Sequence, residues 1–332
     1  MRGRALLATL VAIACLSPLN AIPLRSIDVA ELTEQADLIV VGQVTSVVRQ
    51  GETTIDLSGN TITATRFRSG LKVDQVLKGE SGLRNISFDF LLPDEPIGFQ
   101  IATPGQYGVF FLKALRGLWE FVDPVYPSLP ALPNFQLSRG GLLDQITAML
   151  GEVINSPQVS DSDRTRALDA LAELRTDLAR DVVRQVASAA SGELRLRAAA
   201  KLVARNDIVG LEPIATALLH PEGLSRNMLL DLADSLEGLK NPEAVPTLTK
   251  LVKANNPDIN RPAAAALRQS GSSAALKALS YLLRSSDRLT RYYAVVGMGE
   301  ITHQDKWTPA FDEFQQHEQH YLSHWRNWTN SP

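Results

Sequence analysis

The 332-residue chain reads as a multidomain α+β protein, a small N-terminal β-barrel followed by an α-α superhelix. Three observations predict this. Short β-rich runs separated by turn residues fill the first third of the chain. A proline-rich segment follows them. Beyond it the apolar residues take helical spacing, and an arginine recurs at one point of the pattern: Arg166, Arg197, Arg226, Arg261 and Arg291, at intervals of 31, 29, 35 and 30 residues. A period near thirty residues marks stacked copies of one supersecondary unit. A unit of that size buries its apolar face only against its neighbours, so the stack itself is the fold. Long stacked surfaces point to binding rather than to catalysis.

Residues 1–21 read as a secretory signal peptide. Arg2 and Arg4 form a basic start, Ala5 to Cys15 an apolar core, and Ser17 to Ala21 a cleavage zone. The core is shorter than the roughly 20 apolar residues of a spanning helix. Two processing routes fit. One cleaves near Ala21, although Leu19 is larger than the residue preferred at its position. In the other, Val11-Ala12-Ile13-Ala14-Cys15 resembles a bacterial lipobox, whose cysteine becomes a lipid anchor. The first route predicts a secreted or periplasmic protein, the second an envelope lipoprotein held at Cys15. Cys15 is the single cysteine, so no internal disulfide is expected. A bacterial envelope protein of this length needs none, because burial supplies its stability.

The chain holds 33 basic and 36 acidic residues, a formal charge of −3, with no basic run. Nucleic-acid affinity comes largely from cations that displace counterions from phosphates. No nucleic-acid partner is therefore expected, and no attachment to an anionic membrane by charge alone.

The barrel is assigned to residues 22–123. Asp28 to Gln35 reads as a short helix with Val29 and Leu32 inward. Strands are expected at Leu38 to Val48, Thr61 to Val76, Asn85 to Leu92, Tyr107 to Leu112 and Leu118 to Val122, from their β-branched and aromatic content. Leu77 to Gly82, Pro104-Gly105 and Gly117 supply turns. Five short strands of this kind predict a closed or half-closed barrel. The run Glu31 to Val44, with Val73-Asp74-Gln75-Val76-Leu77-Lys78-Gly79 and Gly105 to Leu112, resembles secreted bacterial β-domains of the OB-fold, netrin and metalloproteinase-inhibitor group. That inhibitor family sets an N-terminal cysteine on the protease metal. No cysteine follows Cys15 here, so the resemblance does not carry inhibition by that route. An OB-type barrel also binds oligonucleotides or sugars, with Trp119 and Tyr107 as the stacking candidates. Phe67, Phe88, Phe90, Phe110 and Phe111 are assigned to the core.

Residues 124–140 form a proline-rich linker. Four prolines between Asp123 and Pro133 exclude a helix and predict a semi-stiff spacer or a strap along the barrel. The solenoid takes residues 141–332. Apolar spacing at Leu142, Ile146, Met149 and Val153 opens it. Paired helices follow: Arg164–Arg175 with Leu178–Ala189, Glu193–Arg205 with Ile208–Leu219, Ser225–Leu239 with Ala244–Lys253, and Asn260–Gln269 with Ala274–Leu283. Asp287–Ile301 leads a final unit. Asp161-Ser162-Asp163, Asn241-Pro242-Glu243 and Ser285-Ser286-Asp287 supply start signals. Pro242 and Pro257 fit first helical turns.

Asn241-Pro242-Glu243-Ala244-Val245-Pro246-Thr247-Leu248, with Asp258-Ile259-Asn260-Arg261-Pro262 and Asp287-Arg288-Leu289-Thr290-Arg291, resembles HEAT repeats of the short bacterial type. The resemblance implies a structural role for the recurring arginine. Such repeats also resemble those of bilin lyases, but a secretory leader and the lack of catalytic motifs argue against that activity.

The last helix, about Thr308 to Trp328, carries the one constellation with metal-binding chemistry. Glu313, His317, His320 and His324 fall at steps of 0, 4, 7 and 11, one face of a helix. His317, His320 and His324 are thus weak metal candidates. His317-Glu318-Gln319-His320 is not the zincin motif, whose histidines stand four apart. Tyr321, Trp325 and Trp328 form an adjacent stripe, which reads as a face closing the end of the stack. No phosphate loop, dinucleotide fingerprint or nucleophile elbow occurs, so no cofactor is expected. Asp94-Glu95 and Asp161 with Asp163 read as solvated acids. The expected function is a non-catalytic envelope or secreted interaction module with a protein or peptide partner. Carbohydrate or peptidoglycan binding through the barrel is the alternative, and a metal-dependent enzyme a further one.

Overall fold

The computed structural model of the protein describes residues 28–57, 60–94, 99–136 and 140–330. The signal peptide expected over residues 1–21 and the alternative lipid anchor expected at Cys15 lie outside the described residues. Among the described residues no helix is long and apolar enough to cross a membrane.

Helix α1 (Val29–Gln35) opens the described chain. Asp28 caps it, its carboxylate accepting the Glu31 N–H at 2.9 Å, which satisfies a donor the first turn leaves unpaired. Strands β1 (Leu38–Leu57), β2 (Asn60–Lys78), β3 (Asn85–Pro93), β4 (Tyr107–Leu115), β5 (Leu118–Phe121) and β6 (Ser128–Pro130) follow. β1 pairs antiparallel with β2 and β4, β2 with β3, and β4 with β5. β3 and β5 run parallel, Phe88 opposite Trp119. The pairings close a circuit, β1–β2–β3–β5–β4–β1.

Two features depart from the expected strand pattern. β1 and β2 run past Val48 and before Thr61 as a two-stranded arm, Ile55 opposite Ile62. The arm residues are mostly polar, so ladder pairing rather than burial extends it, and apolar alternation could not reveal it. The sixth strand lies inside the proline-rich segment. Ser128–Pro130 joins the edge of β4, Gly108 opposite Pro130. Proline is tolerated there because an edge strand leaves one side of its backbone unpaired.

Side-chain alternation along β1 and β4 divides two cores. Leu38, Val40, Phe110 and Leu112 point into the barrel with Leu71, Val73, Phe88, Phe90 and Phe121. Ile39, Val41, Val109 and Phe111 point outward, into a second core shared with Val29, Leu32, Leu129 and Phe135 and with Ile146, Met149 and Leu150 of the helical part. Phe111 thus belongs to the junction and not to the barrel interior. A strand pair covered on both faces explains the unbroken apolar runs Leu38–Val41 and Val109–Leu112.

The helical part comprises α2 (Leu142–Asn155), α3 (Asp161–Glu173), α4 (Asp177–Ala189), α5 (Gly192–Ala204), α6 (Leu211–Leu219), α7 (Arg226–Ser235), α8 (Val245–Lys253), α9 (Pro257–Gln269), α10 (Leu276–Leu282), α11 (Arg288–Ile301) and α12 (Phe311–Asn330). The odd-numbered helices α3 to α11 pack in succession as one layer. A second layer takes the even-numbered helices, α2 against α4, α6 against α8, α8 against α10 and α10 against α12. Three second-layer helices start later than their apolar spacing indicates, at Leu211, Val245 and Leu276 rather than at Ile208, Ala244 and Ala274. Each follows a 3-10 turn, Ile208–Gly210, Pro242–Ala244 or Ser273–Ala275. Asp207, Asn241 and Ser272 cap these turns through their side chains. The cap of α3 is Ser160, which accepts the Asp163 N–H at 3.1 Å, so Asp161 and Asp163 fall in its first turn.

Units are tied at a spacing of 32 residues. Asp169 pairs with Lys201 at 3.0 Å, Glu173 with Arg205 at 3.3 Å, and Glu300 with Arg268 at 2.7 Å. Close backbone approach adds to this. A Cβ on Gly210 would stand 2.3 Å from the Ala199 carbonyl oxygen, and one on Gly238 2.3 Å from that of Ala204.

Phe111→Ala is expected to cost about 3–5 kcal/mol, the range for emptying a fully buried aromatic site. Because Phe111 serves the shared core, barrel and helical signals should both shift to lower denaturant. Amide hydrogen exchange of barrel and helical segments across a urea titration checks this; a shift confined to one set of segments would show the two parts to be energetically separate.

Candidate functional site

The histidine face of α12 does not assemble as helical spacing predicts. The backbone leaves the helical region at His317 (φ −125°, ψ 29°), so Glu313 and the later histidines do not share one straight face. Glu313 accepts a hydrogen bond from the Tyr321 hydroxyl. Burial, with that bond and the carboxylate charge, pushes the Tyr321 phenol up to about 12. His324 lies flat on Trp307, ring centroids 3.5 Å apart and planes 3° from parallel. His320 stands 5.1 Å from the same indole. Glu318 pairs with Arg288 and Arg291. Among the described residues no group of three His, Cys, Asp or Glu is placed to hold a metal ion. The helical count missed this because Trp307, ten residues before His317, takes both later histidine rings. Phe314, Tyr321, Leu322 and Trp325 of this helix are buried.

The recurring arginines divide by position. Arg166 reaches the barrel side, donating to the Ser128 carbonyl at 2.9 Å and to Gln100 at 3.2 Å. Burial pushes its pKa below the usual arginine value, with Asp163 opposing. Arg291 donates to the Ser285 and Ser286 carbonyls at 2.7 and 2.9 Å as well as to Glu318. Arg197 pairs within its own helix with Glu193. Arg226 and Arg261 are exposed. One sequence position thus does three jobs, set by what packs beside it.

The barrel aromatics singled out as stacking candidates are packed. Trp119 is half-buried against the barrel core. Tyr107 is half-buried on the junction core, and burial followed by a hydrogen bond to Asp74 pushes its phenol up to about 12. Elsewhere on the barrel lies a cleft of about 270 Å³ with Phe90, Phe99 and Phe121 next to Arg66, Asp89, Lys113 and Glu120. Asp89 is 4% exposed and accepts two hydrogen bonds from Arg68, at 2.7 and 3.0 Å.

A larger groove, about 870 Å³, opens between the C-terminal ends of α3 and α5. Its floor includes Leu171, Leu174, Val183 and Leu202. Its rim carries Arg175, Arg180, Arg184, Lys201 and Arg205 against Glu173 and Asp207. Arg184 is held by Asp207 at 2.7 Å. Arg205 is held by Glu173 and by the Leu174 carbonyl at 3.4 Å. A second groove of about 730 Å³ lies where α3 and α5 begin, with Asp161, Arg164 and Glu193 on its wall. Sequence reasoning singled out neither groove. The one available signal was that Arg175 and Arg205 stand thirty residues apart, within one residue of the same place in consecutive units.

The family model for HEAT repeats matches residues 225–299, which span α7 to α11. This stretch is therefore similar to HEAT repeats. No curated protein matches the chain. Among solved structures, the complex of CpcE and CpcF of phycocyanin lyase from a Nostoc species is 20% identical, with a TM-score of 0.38, over 54% of this chain and 72% of that one. An engineered protein is also 20% identical, with a TM-score of 0.33, over 48% of this chain and 83% of that one.

Two outcomes follow. Arg166→Ala should destabilise the junction by about 1–3 kcal/mol, the range for removing a charged donor from part-buried acceptors; equilibrium denaturation measures it, and an unchanged midpoint would show the contact to be idle. His324 has its pKa lowered from the ordinary 6.5, first by burial and then by Lys306 and His320. A lowered histidine pKa stabilises the fold above the unfolded value and is lost as pH falls through the folded value. Protection factors of the α12 amides, corrected for the base-catalysed intrinsic exchange rate, should therefore fall as pH drops below the ordinary 6.5, and His324→Phe should flatten that dependence. Equal slopes in both proteins would rule His324 out as the cause.

Proposed function

We propose that this protein is a non-catalytic interaction module of the bacterial cell envelope or its exterior, with the helical stack holding a protein or peptide partner. The observation that carries this reading is the groove between α3 and α5. It crosses two successive units, has a charged rim, and belongs to a scaffold tied by ion pairs from unit to unit. Similarity to HEAT repeats over residues 225–299 agrees with a binding surface of this kind. Groups with catalytic chemistry are already engaged in packing, His324 on Trp307 and Glu313 on Tyr321. The leader read at residues 1–21, with Ala21 or Cys15 as its processing point, supports export. The barrel's closed circuit of pairings and its parallel β3–β5 contact support the OB- and netrin-like assignment.

A second reading rests on the 270 Å³ barrel cleft. The Phe99 ring beside Arg66, Lys113 and Glu120 suits a sugar, so this surface fits carbohydrate or peptidoglycan binding. One experiment separates the two. A photo-crosslinking residue is placed at Asn241, on the groove wall, or at Phe99, on the cleft wall, in the full chain expressed in its own envelope. Protein adducts from position 241 would support the interaction module. Adducts from position 99 alone, to glycan, would replace it with the barrel reading.

A further inference from the structure

We infer that the exposed faces of α8 and α10 form a docking surface for an acidic segment of a protein partner, an assignment that rests on the interaction-module reading and adds a second contact apart from the α3–α5 groove. Lys250 and Lys253 on α8, and Lys277 on α10 with Arg284 just beyond it, are all exposed. None of these four side chains takes part in an ion pair or hydrogen bond among the described residues. Earlier helices mate their cations internally, Arg164 with Asp161, Arg180 with Asp177 and Arg197 with Glu193. Here there is nothing to mate them, because residues 244–257 and 273–286 contain no acid. The flanking carboxylates lie at the ends or are engaged. Glu243 belongs to the 3-10 turn before α8, and Glu212 to the first turn of α6. Asp258 lines a small cavity with Arg226. Asp287 accepts from Thr290 at 2.7 Å, and Glu318 is held by Arg288 and Arg291.

Helix stability does not account for this pattern. Lys250 and Lys253 are like charges one turn apart, which destabilises a helix. The dipole favours Lys253 in a last turn, but it disfavours Lys277 in the first turn of α10. Lys250 and Tyr281 stand 31 residues apart, as do Lys253 and Arg284, and as do Pro242 and Ser273, which open the preceding 3-10 turns. Each pair thus holds one place in consecutive units. Helices packed side by side lie about 8–10 Å apart, and same-side residues of an extended segment recur every ~7 Å. Carboxylates along one side of such a segment therefore reach Lys253 and Arg284 in turn. Tyr281, 47% exposed, shares a helix face with Lys277 and Arg284 and supplies the apolar contact. Charge also selects a segment over a broad surface. The whole chain carries −3 with these four cations counted, so the remainder carries −7. An anionic bilayer would meet that remainder and be repelled by it. A short segment meets the patch alone, within about one Debye length, roughly 8 Å.

The test uses the full chain and a fluorescein-labelled ten-residue peptide alternating Glu and Ser, with a Gln-for-Glu peptide as control. Fluorescence anisotropy should show saturable binding of the Glu peptide and binding about tenfold or more weaker for the Gln peptide. Lys250→Glu with Arg284→Glu should weaken the Glu peptide by about tenfold or more, whereas Arg175→Glu at the α3–α5 groove should leave it within about twofold. A thermal melt checks that the double variant folds, and Lys250→Gln with Arg284→Gln should lose binding in the same direction. Equal binding of the two peptides, no binding of either, or undiminished binding by both double variants would overturn the assignment. Vesicles of three parts phosphatidylcholine to one part phosphatidylglycerol should leave the chain in the supernatant. Pelleting that the charge reversal abolishes would give the surface to lipid and remove the protein segment. A photo-crosslinking residue at Tyr281, beside the one at Asn241, tells this failure from that of the broader reading. Protein adducts from position 241 with none from 281 remove the acidic-segment assignment and leave the interaction module standing. Protein adducts from 281 that the charge reversal abolishes support both, and protein adducts from neither position remove both.

Discussion

The seam between β1 and β4 is the element on which the rest of the structure depends. Its residues alternate between two cores, Leu38 and Val40 inward, Ile39 and Val41 outward. Antiparallel register sets Val40 against Phe110 and Val41 against Val109, so both strands divide their side chains in step. Each large apolar side chain fully buried there contributes about 1.5–3 kcal/mol. The outward side chains of the seam therefore join the same core as the helical part, with α1 packed on β4 and α3 on β6. A single slip of register would turn every one of these side chains to the wrong side.

The proline-rich segment acquires its role from this seam. Leu129 and Phe135 fill the junction core, and Gln75 donates to the Phe135 carbonyl at 2.6 Å. Gly108 sits where β6 crosses, and a Cβ there would stand 2.5 Å from the Leu129 carbonyl oxygen. Arg166, the first of the recurring arginines, then fastens α3 to the same strand through the Ser128 carbonyl. The stack thus begins on the barrel through packed contacts on three elements. Its far end is finished by aromatic packing, Tyr292 against Phe311 and Phe314, and Trp307 against His324.

Much of the organisation was legible in the chain. The change from β-branched runs to helical spacing marked where strands give way to helices, and the arginine period marked the units. The candidate site was far less legible. Its rim draws on the end of α3, the outer side of α4 and the end of α5, residues that lie up to about thirty positions apart and carry no common motif. The histidine face shows the reverse error. Its spacing was regular, but the break at His317 and the indole of Trp307 redirect it, and neither is encoded in the count of four, three and four.

The sequence by itself determined the local choices: apolar periodicity, cap residues such as Asp28 and Asn241, and turn glycines. These depend on interactions within a few residues, which composition and spacing express directly. Only the tertiary structure decided which arginines are half-buried, that Phe111 lies in the junction core rather than the barrel interior, that Ser128–Pro130 forms a strand, and that two consecutive units leave a groove rimmed by charged pairs. Each of these rests on contacts between segments far apart in the chain, and their energies depend on packing geometry that no linear pattern records.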